Sequence, residues 1–481
     1  FFFKQKTAYE IRNCDWSSDV VLFRSGVMPD GEIYAYDADM EWDMGLPWYR
    51  PTRLCHCVSG AEFGWRNGSG KWPADYPDSL PPVCDIGPGS PTGVLVTGRG
   101  LYCLDWTFGT LYEVTPTNLG ASAIGQPRQI ASGQPWPLTD AVQVPGSDAM
   151  YVLTGGRGLP SALYRLDPPK DVPPQRSAPT APGAELRALR RSLETFHGQV
   201  DAKAVAVAWE HLGNSDTFVR YAARLAVEWQ PVAEWRARAL AETSSAWASL
   251  TALLALARQG EPADLGPVLE AVWRIPFAAL DPMQQVAWCR VQALAFLRLG
   301  KPAGELRDRA IAQLLAQFPC GRERVDQELC ALLCSMDAAA VVEKAMPLVL
   351  REGAPQPPAW ADVVARNASY GGVIQRMMRE MPPAPQIRLA YALRVVAHGW
   401  TLQQREGFFT FLKEARKKVG GASYGGYLSR IWQDAMSTCT PAERAALVPV
   451  VGETLPVPPP FRATPPKGPG HDWQLEEADR K

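Results

Sequence analysis

Two hydrophobic periods divide the chain. From Gly26 to about Lys170, short β-branched and aromatic runs alternate with Gly, Pro, Asn and Asp at close intervals. That is how short antiparallel strands joined by tight turns look in sequence. Trp42 to Tyr112 is the best-patterned stretch, crowded with aromatic side chains and without a helical period. Glu32–Tyr36 reads as a strand after the turn Pro29-Asp30-Gly31, and Leu101–Val114 and Ala149–Leu166 each read as strand, turn, strand around their glycines. At about 40 to 50 residues per four-stranded unit, 26–170 has room for about three blades of a β-propeller.

Beyond the proline-rich linker 171–183 the period changes to that of helices. Leu186, Leu189, Leu193 and Phe196 fall on one helical face, as do Phe218, Ala222, Leu225 and Trp229. Trp247–Ala257 is apolar nearly all round, which predicts a helix buried between neighbours. Residues 184–452 therefore predict about six antiparallel helix pairs stacked as a HEAT-like α-solenoid. The fold class expected is multidomain, all-β plus all-α: a partial β-propeller followed by this solenoid. Residues 453–481 read as a second proline-rich linker and the truncated start of a further domain.

Charge and cysteines narrow the function classes. The formal net charge is -1, with 15 acids and 9 bases in 26–170 and 36 bases and 32 acids from 171 onward, a balance that does not point to nucleic acid. No apolar run reaches the ~20 residues of a membrane span. The ten cysteines show no C-x-x-C-H and no zinc-like spacing, and Cys55-His56-Cys57 on a strand would point to opposite faces, so no metal site is assigned. Asp37, Asp39, Glu41 and Asp43 recur at period two and would share one strand face, either as calcium ligands or as a solvated rim, the rim being preferred. Gly87–Gly93 lacks the lysine and helix of a phosphate loop and reads as a turn. His56 is the one histidine of the sheet region and reads as a packed or hydrogen-bonded residue. His197, His211 and His398 stand apart in the helical region.

Several motifs carry a family resemblance. Gly60-Ala61-Glu62-Phe63-Gly64-Trp65 resembles the G-x-N-Y-G-W turn of glucose/sorbosone dehydrogenase-type propellers, with Glu62 and Phe63 departing from it. Asp148–Val152, Gly155-Gly156 and Leu163–Arg165 resemble a late hairpin of the same propellers, with Ala149 in place of a glycine. In order, WYRPTR, SGAEFGWR, YPDSLPP, IGPGSPTG, LDWTFGT and PLTDA are similar to the membrane-bound dehydrogenase-like haem-binding proteins, over about Gly31 to Glu477. That resemblance implies a propeller of quinoprotein type holding pyrroloquinoline quinone and calcium, oxidation of a sugar or alcohol, a terminal haem c domain as electron acceptor, and a bacterial periplasmic or secreted location. The catalytic base would lie in earlier blades, so none is assigned. Around the implied funnel, Arg50, Arg53, Arg66 and Arg157, with Trp65, are the candidate cofactor-binding residues, because a guanidinium fork matches the carboxylates of a quinone or an acidic sugar. The alternative for each arginine is a pair with a neighbouring acid or a Trp ring. On this reading the chain is an inactive fragment of a possible dehydrogenase. The alternative is a non-catalytic scaffold that binds a polysaccharide or, on its solenoid, another protein.

Residues 1–25, FFFKQKTAYEIRNCDWSSDVVLFRS, resemble the translation of a short-read sequencing adapter, in which KQKTAYE, CDWSSDV and LFRS match successive codon blocks. They are expected to be disordered and to carry no meaning for the fold. The missing signal sequence is then uninformative about location. Sequencing the genomic locus is expected to find no such codons upstream of Gly26; finding them would overturn the assignment.

Overall fold

Alternation of apolar side chains and close glycine turns builds the β part. The computed structural model describes residues 25–39, 41–65, 72–73, 75–156, 158–167, 183–352 and 368–455. β1 (Ser25–Val27), β2 (Ile33–Asp37), β3 (Thr52–His56) and β4 (Cys84–Gly87) form an antiparallel sheet in that order. β5 (Pro91–Thr97), β6 (Gly100–Asp105) and β7 (Thr110–Val114) begin a second sheet. The hairpin β8 (Thr117–Leu119) and β9 (Ser122–Ile124) then intervenes, before β10 (Pro127–Ser132) completes the second sheet beside β7. β11 (Leu138–Gln143), β12 (Met150–Gly156) and β13 (Leu159–Leu166) form a third.

The sheets stack face to face. Tyr34, Tyr36, Leu54 and Ile86 of the first pack on Leu101, Cys103, Tyr112 and Val114 of the second. Tyr102, Leu104 and Leu111 on the other face of the second pack on Leu138, Met150 and Val152 of the third. The central sheet is thus covered on both faces, which is why β6 and β7 are buried at every position. The two expected hairpins form, as β6–β7 and β12–β13. Trp42–Tyr112 differs from expectation: Glu41–Asp43 is a 3-10 turn, and the described residues between Cys57 and Val83 contain no strand. Pro73, Pro77, Pro81 and Pro82 remove ladder donors there, and the stretch satisfies itself elsewhere.

The helical part opens with α1 (Ala184–Glu194), α2 (Ala204–Trp209), α3 (Thr217–Glu228), α4 (Val232–Ala241), α5 (Ala246–Gln259), α6 (Leu265–Trp273), α7 (Pro282–Arg298) and α8 (Gly304–Leu315). It continues with α9 (Glu323–Ser335), α10 (Ala340–Val349), α11 (Ala368–Arg379), α12 (Ala384–Leu393), α13 (Leu402–Arg416), α14 (Ala422–Ser437) and α15 (Pro441–Val451). Asp216, Ser245, Asp281, Thr401 and Thr440 cap α3, α5, α7, α13 and α15 by accepting from first-turn amides. α1, α3, α5, α7, α9, α12 and α14 pack one on the next in a row, while α4, α6 and α8 form part of a second row behind them. As its sequence predicts, α5 is buried all round from Ala248 to Ala257. Trp229, expected on a buried stripe, is 45% exposed; it is the residue after α3 ends at Glu228, its N–H still bonded to the Leu225 carbonyl.

One continuous core joins the two parts: Leu46, Trp48, Val58, Tyr76 and Leu80 pack with the helices of the first row. The 72–80 loop is the main bridge. Asp78, fully buried, takes Arg290 Nε at 2.9 Å and Nη2 at 2.8 Å, with Arg258 at 3.4 Å. The Arg290 guanidinium lies 4.2 Å from the Trp72 ring and 4.1 Å from the Tyr76 ring, against two rings of the loop it grips. Tyr76 donates to Glu328 Oε2 at 2.8 Å, and Asp75 takes Arg324 at 2.8 and 3.0 Å. Burial opposes ionisation of Asp78, yet the Arg290 charge holds its carboxyl below the usual range. At the hairpin β8–β9, Gly120 adopts φ +57, and a Cβ there would collide with the Asp216 carboxylate. Asp216 both caps α3 and accepts from Ala121 N–H at 2.9 Å, so the hairpin tip sits on a helix start.

Cutting one side of a buried ion pair strands the other. Asp78→Ala is expected to destabilise the chain by about 3–5 kcal/mol in urea titrations. The double change Asp78→Leu with Arg290→Met should cost clearly less than the sum of the single changes, and simple additivity would show that the pair is not coupled.

Candidate functional site

β2, β3 and β4 set a row of charges across one face of the first sheet. Arg53 on β3 stands opposite Asp37 on β2 and Asp85 on β4. It donates from Nε at 3.0 Å and Nη2 at 2.8 Å to Asp37 Oδ2, while its buried Nη1 has no hydrogen-bond partner. Arg50, just before β3, donates Nη1 to the Phe63 carbonyl at 3.1 Å and Nη2 to the Trp72 carbonyl. Burial, and then the neighbouring Arg53 charge, lower the Arg50 pKa to about 10. Trp48 Nε1 donates to Asp43 at 3.2 Å and Tyr49 to Asp39 at 2.9 Å. These side chains, with Trp65 and Trp72, enclose a cavity of about 30 Å³.

The structure therefore brings Arg50, Arg53 and Trp65 together around one cavity. Arg66 and Arg157 lie outside the described residues. Neither reading of Asp37, Asp39, Glu41 and Asp43 holds for the described side chains: the strand ends at Asp37, so no common face forms, and Asp39 and Asp43 are buried rather than on a solvated rim, with Asp37, Asp39 and Asp43 going to Arg53, Tyr49 and Trp48 respectively. Among the described residues, no three His, Cys, Asp or Glu side chains are grouped to hold a metal ion.

A cavity of about 30 Å³ holds about two waters, against the roughly 300 Å³ of the smaller ligand pockets. Arg53 Nη1 has no partner, while Arg53 Nε and Nη2 and Arg50 Nη1 and Nη2 are taken by Asp37 and two loop carbonyls, and the space does not suit a tricyclic quinone. The described residues do not fit that cofactor here.

His56 has partners that sequence reasoning missed. Its Nε2 lies 2.6 Å from Glu32 Oε2 and its Nδ1 2.8 Å from Ser122 Oγ, with the ring stacked on Tyr34 at 4.8 Å. Such a Ser–His–Glu set invites a nucleophilic reading. The set is sealed: Ser122, His56 and Glu32 are 4%, 1% and 8% exposed, and Glu32 also receives Arg190 and Arg191 from α1. Burial pushes the Glu32 carboxyl up, but the His56 hydrogen bond and the Arg190 charge bring it to about 2. As an ionised acceptor it fixes the Nε2–H tautomer of His56. The set ties the first sheet and the β8–β9 hairpin to α1. No local signal marks these partners, since Glu32 and Ser122 lie 24 and 66 residues from His56.

His197 spans Ser59 Oγ and the Ala222 carbonyl, each at 2.9 Å, a second tie between loop and helices. His398 sits on the surface, 2.5 Å from Asp337. Among the described residues, no helix is long and apolar enough to cross a membrane.

No protein-family model matches the chain, and no curated protein does. Two solved structures are similar over part of it. A putative oxidoreductase (glucose dehydrogenase) from Thermus thermophilus is 16% identical over 30% of this chain and 44% of its own, with a TM-score of 0.25. The PQQ-bound aldose sugar dehydrogenase of Streptomyces coelicolor is 15% identical over 30% of this chain and 42% of its own, with a TM-score of 0.24. The chain spans less than half the length of either. Likeness at this level carries no argument about chemistry.

Two tests follow from the sealed His56 set. Glu32 is depressed to about 2 in the fold, against roughly 4.3 for a free glutamate, so its contribution is full above about pH 5 and is lost as pH falls toward 2. Chemical denaturation between pH 6 and 3 should show a falling stability whose slope Glu32→Gln reduces; an unchanged slope would remove Glu32 from the account. A fluorophosphonate probe should leave Ser122 unlabelled in the native chain, and labelling would reopen the nucleophilic reading.

Proposed function

We propose that this chain is a non-catalytic portion of a dehydrogenase-like quinoprotein, in which propeller-type sheets are locked onto a HEAT-like solenoid. In the whole protein, a sugar or alcohol would be oxidised at a quinone held by other blades, with electrons passing to a haem c domain in the periplasm or outside the cell. The motifs between WYRPTR and PLTDA support the family tie. The observation that carries the non-catalytic part is the state of His56: it is the one histidine of the sheets, 1% exposed, with both ring nitrogens engaged. A base that abstracts a proton from a sugar or alcohol must reach it, and this one reaches only Glu32 and Ser122. The Arg50–Arg53 cavity supports the same reading, because its size admits no sugar ring. What the residues supply is rigidity: Arg53 is paired to Asp37, Arg50 holds two loop carbonyls, and Asp75, Tyr76 and Asp78 anchor in the helices.

The test is the purified chain with added pyrroloquinoline quinone and calcium, assayed for dye reduction across sugars and alcohols. No reduction above the blank is expected. Turnover with any substrate would overturn the non-catalytic assignment. The family tie is tested separately on the complete gene, which should encode further histidine-bearing sheets and a C-x-x-C-H; a complete gene lacking both would sink it.

A further inference from the structure

A second cavity, of about 400 Å³, opens in the helical part between the start of α9, the end of α10 and the first turns of α12. It is more than ten times the volume of the arginine cavity and falls within the roughly 300–1,000 Å³ of small-molecule sites. Pro319, Leu348, Pro385 and Leu389 give it apolar walls. Three polar side chains converge on the same space. Arg351 Nη2 donates to Glu323 Oε2 at 2.8 Å, and the two side chains are 57% and 48% exposed. Gln386, 8% exposed, donates its Nε2 to the Arg351 carbonyl at 3.4 Å, while its Oε1 accepts no hydrogen bond among the described residues. A buried acceptor left open toward a cavity calls for a donor from outside the chain.

We propose that this cavity binds a free α-amino acid with an apolar side chain. The charges argue for a zwitterion: Arg351 takes the carboxylate, Glu323 takes the ammonium, and Gln386 Oε1 accepts a further ammonium hydrogen. Spacing argues for an amino acid rather than a peptide. The two charged groups of an α-amino acid share one carbon, which sets nitrogen and oxygen roughly 3 Å apart. That matches the 2.8 Å of the pair they would part. A peptide carries its terminal charges up to about 3.5 Å farther apart for each added residue. An exposed ion pair is weak, so exchanging it for two pairs with the ligand costs little. The apolar side chain of the ligand then lies against Leu348 and Leu389, the part of the cavity with no charge to satisfy.

Calorimetric titration of the full chain with L-leucine should show saturable binding, and L-leucine should slow alkylation of Cys320, which lines the cavity. Leucine amide and isocaproate, each lacking one of the two charges, should bind at least about tenfold more weakly. Arg351→Met and Glu323→Gln, both at exposed positions, should each weaken L-leucine about tenfold and leave the thermal transition unchanged. Leu348→Trp, on the half-buried wall, should fill the cavity and abolish binding. No saturable binding up to about 10 mM, isocaproate as tight as leucine, or an affinity indifferent to both Arg351→Met and Glu323→Gln overturns the proposal. None of these outcomes bears on the quinoprotein assignment, which rests on different residues.

Discussion

The buried pair of Asp78 and Arg290 is the constraint on which the rest of the molecule depends. A carboxylate and a guanidinium have been removed from water together, at a desolvation cost of several kcal/mol per ion, and only close geometry offsets that. Here the geometry is two-pronged, and Trp72 and Tyr76 close over the cation from the loop side. A loop without strand or helix hydrogen bonds is thereby held as firmly as a core element. Because Tyr76 and Leu80 enter the helical core along with it, sheets and helices behave as one packed body rather than two beads on a linker.

The helices answer with a regular supply of cations. Arg190, Arg224, Arg258, Arg290 and Arg324 recur at intervals of 32 to 34 residues, each on a helix of the first row. Each finds a carboxylate, either from the sheet part, as with Glu32, Asp75 and Asp78, or from its own row, as with Glu228. Glu328 shows the electrostatic result: burial would raise its pKa, yet Arg324 and Arg388 hold it near 2. This row is a repeated joint, with one guanidinium per step of the stack.

The same clamp shapes the arginine cavity. Arg50 binds the Trp72 carbonyl, and Trp72 is the residue whose ring covers Arg290, so the cavity wall and the anchor are one short segment. A tightly tied wall leaves room for about two waters and not for a cofactor. The clamp that secures the sheets also narrows the described cavity at the place where the sequence suggested a ligand.

Much of the local structure follows from the sequence by itself. The β6–β7 and β12–β13 hairpins, the buried α5 and the helix starts at Asp216, Asp281 and Thr440 obey near-neighbour rules, where period, turn glycine and cap act over a few residues. The regular arginine spacing is also legible, though not what it faces. Tertiary structure decided the rest. Asp78 and Arg290 are 212 residues apart, and Glu32 and Arg190 158, so no periodicity announces them. The described residues of 57–83 show no period, and several are held by partners on other elements. Whether Arg53, His56 and Ser122 face a ligand or one another was settled by burial, a property of the packed whole and not of any stretch of chain.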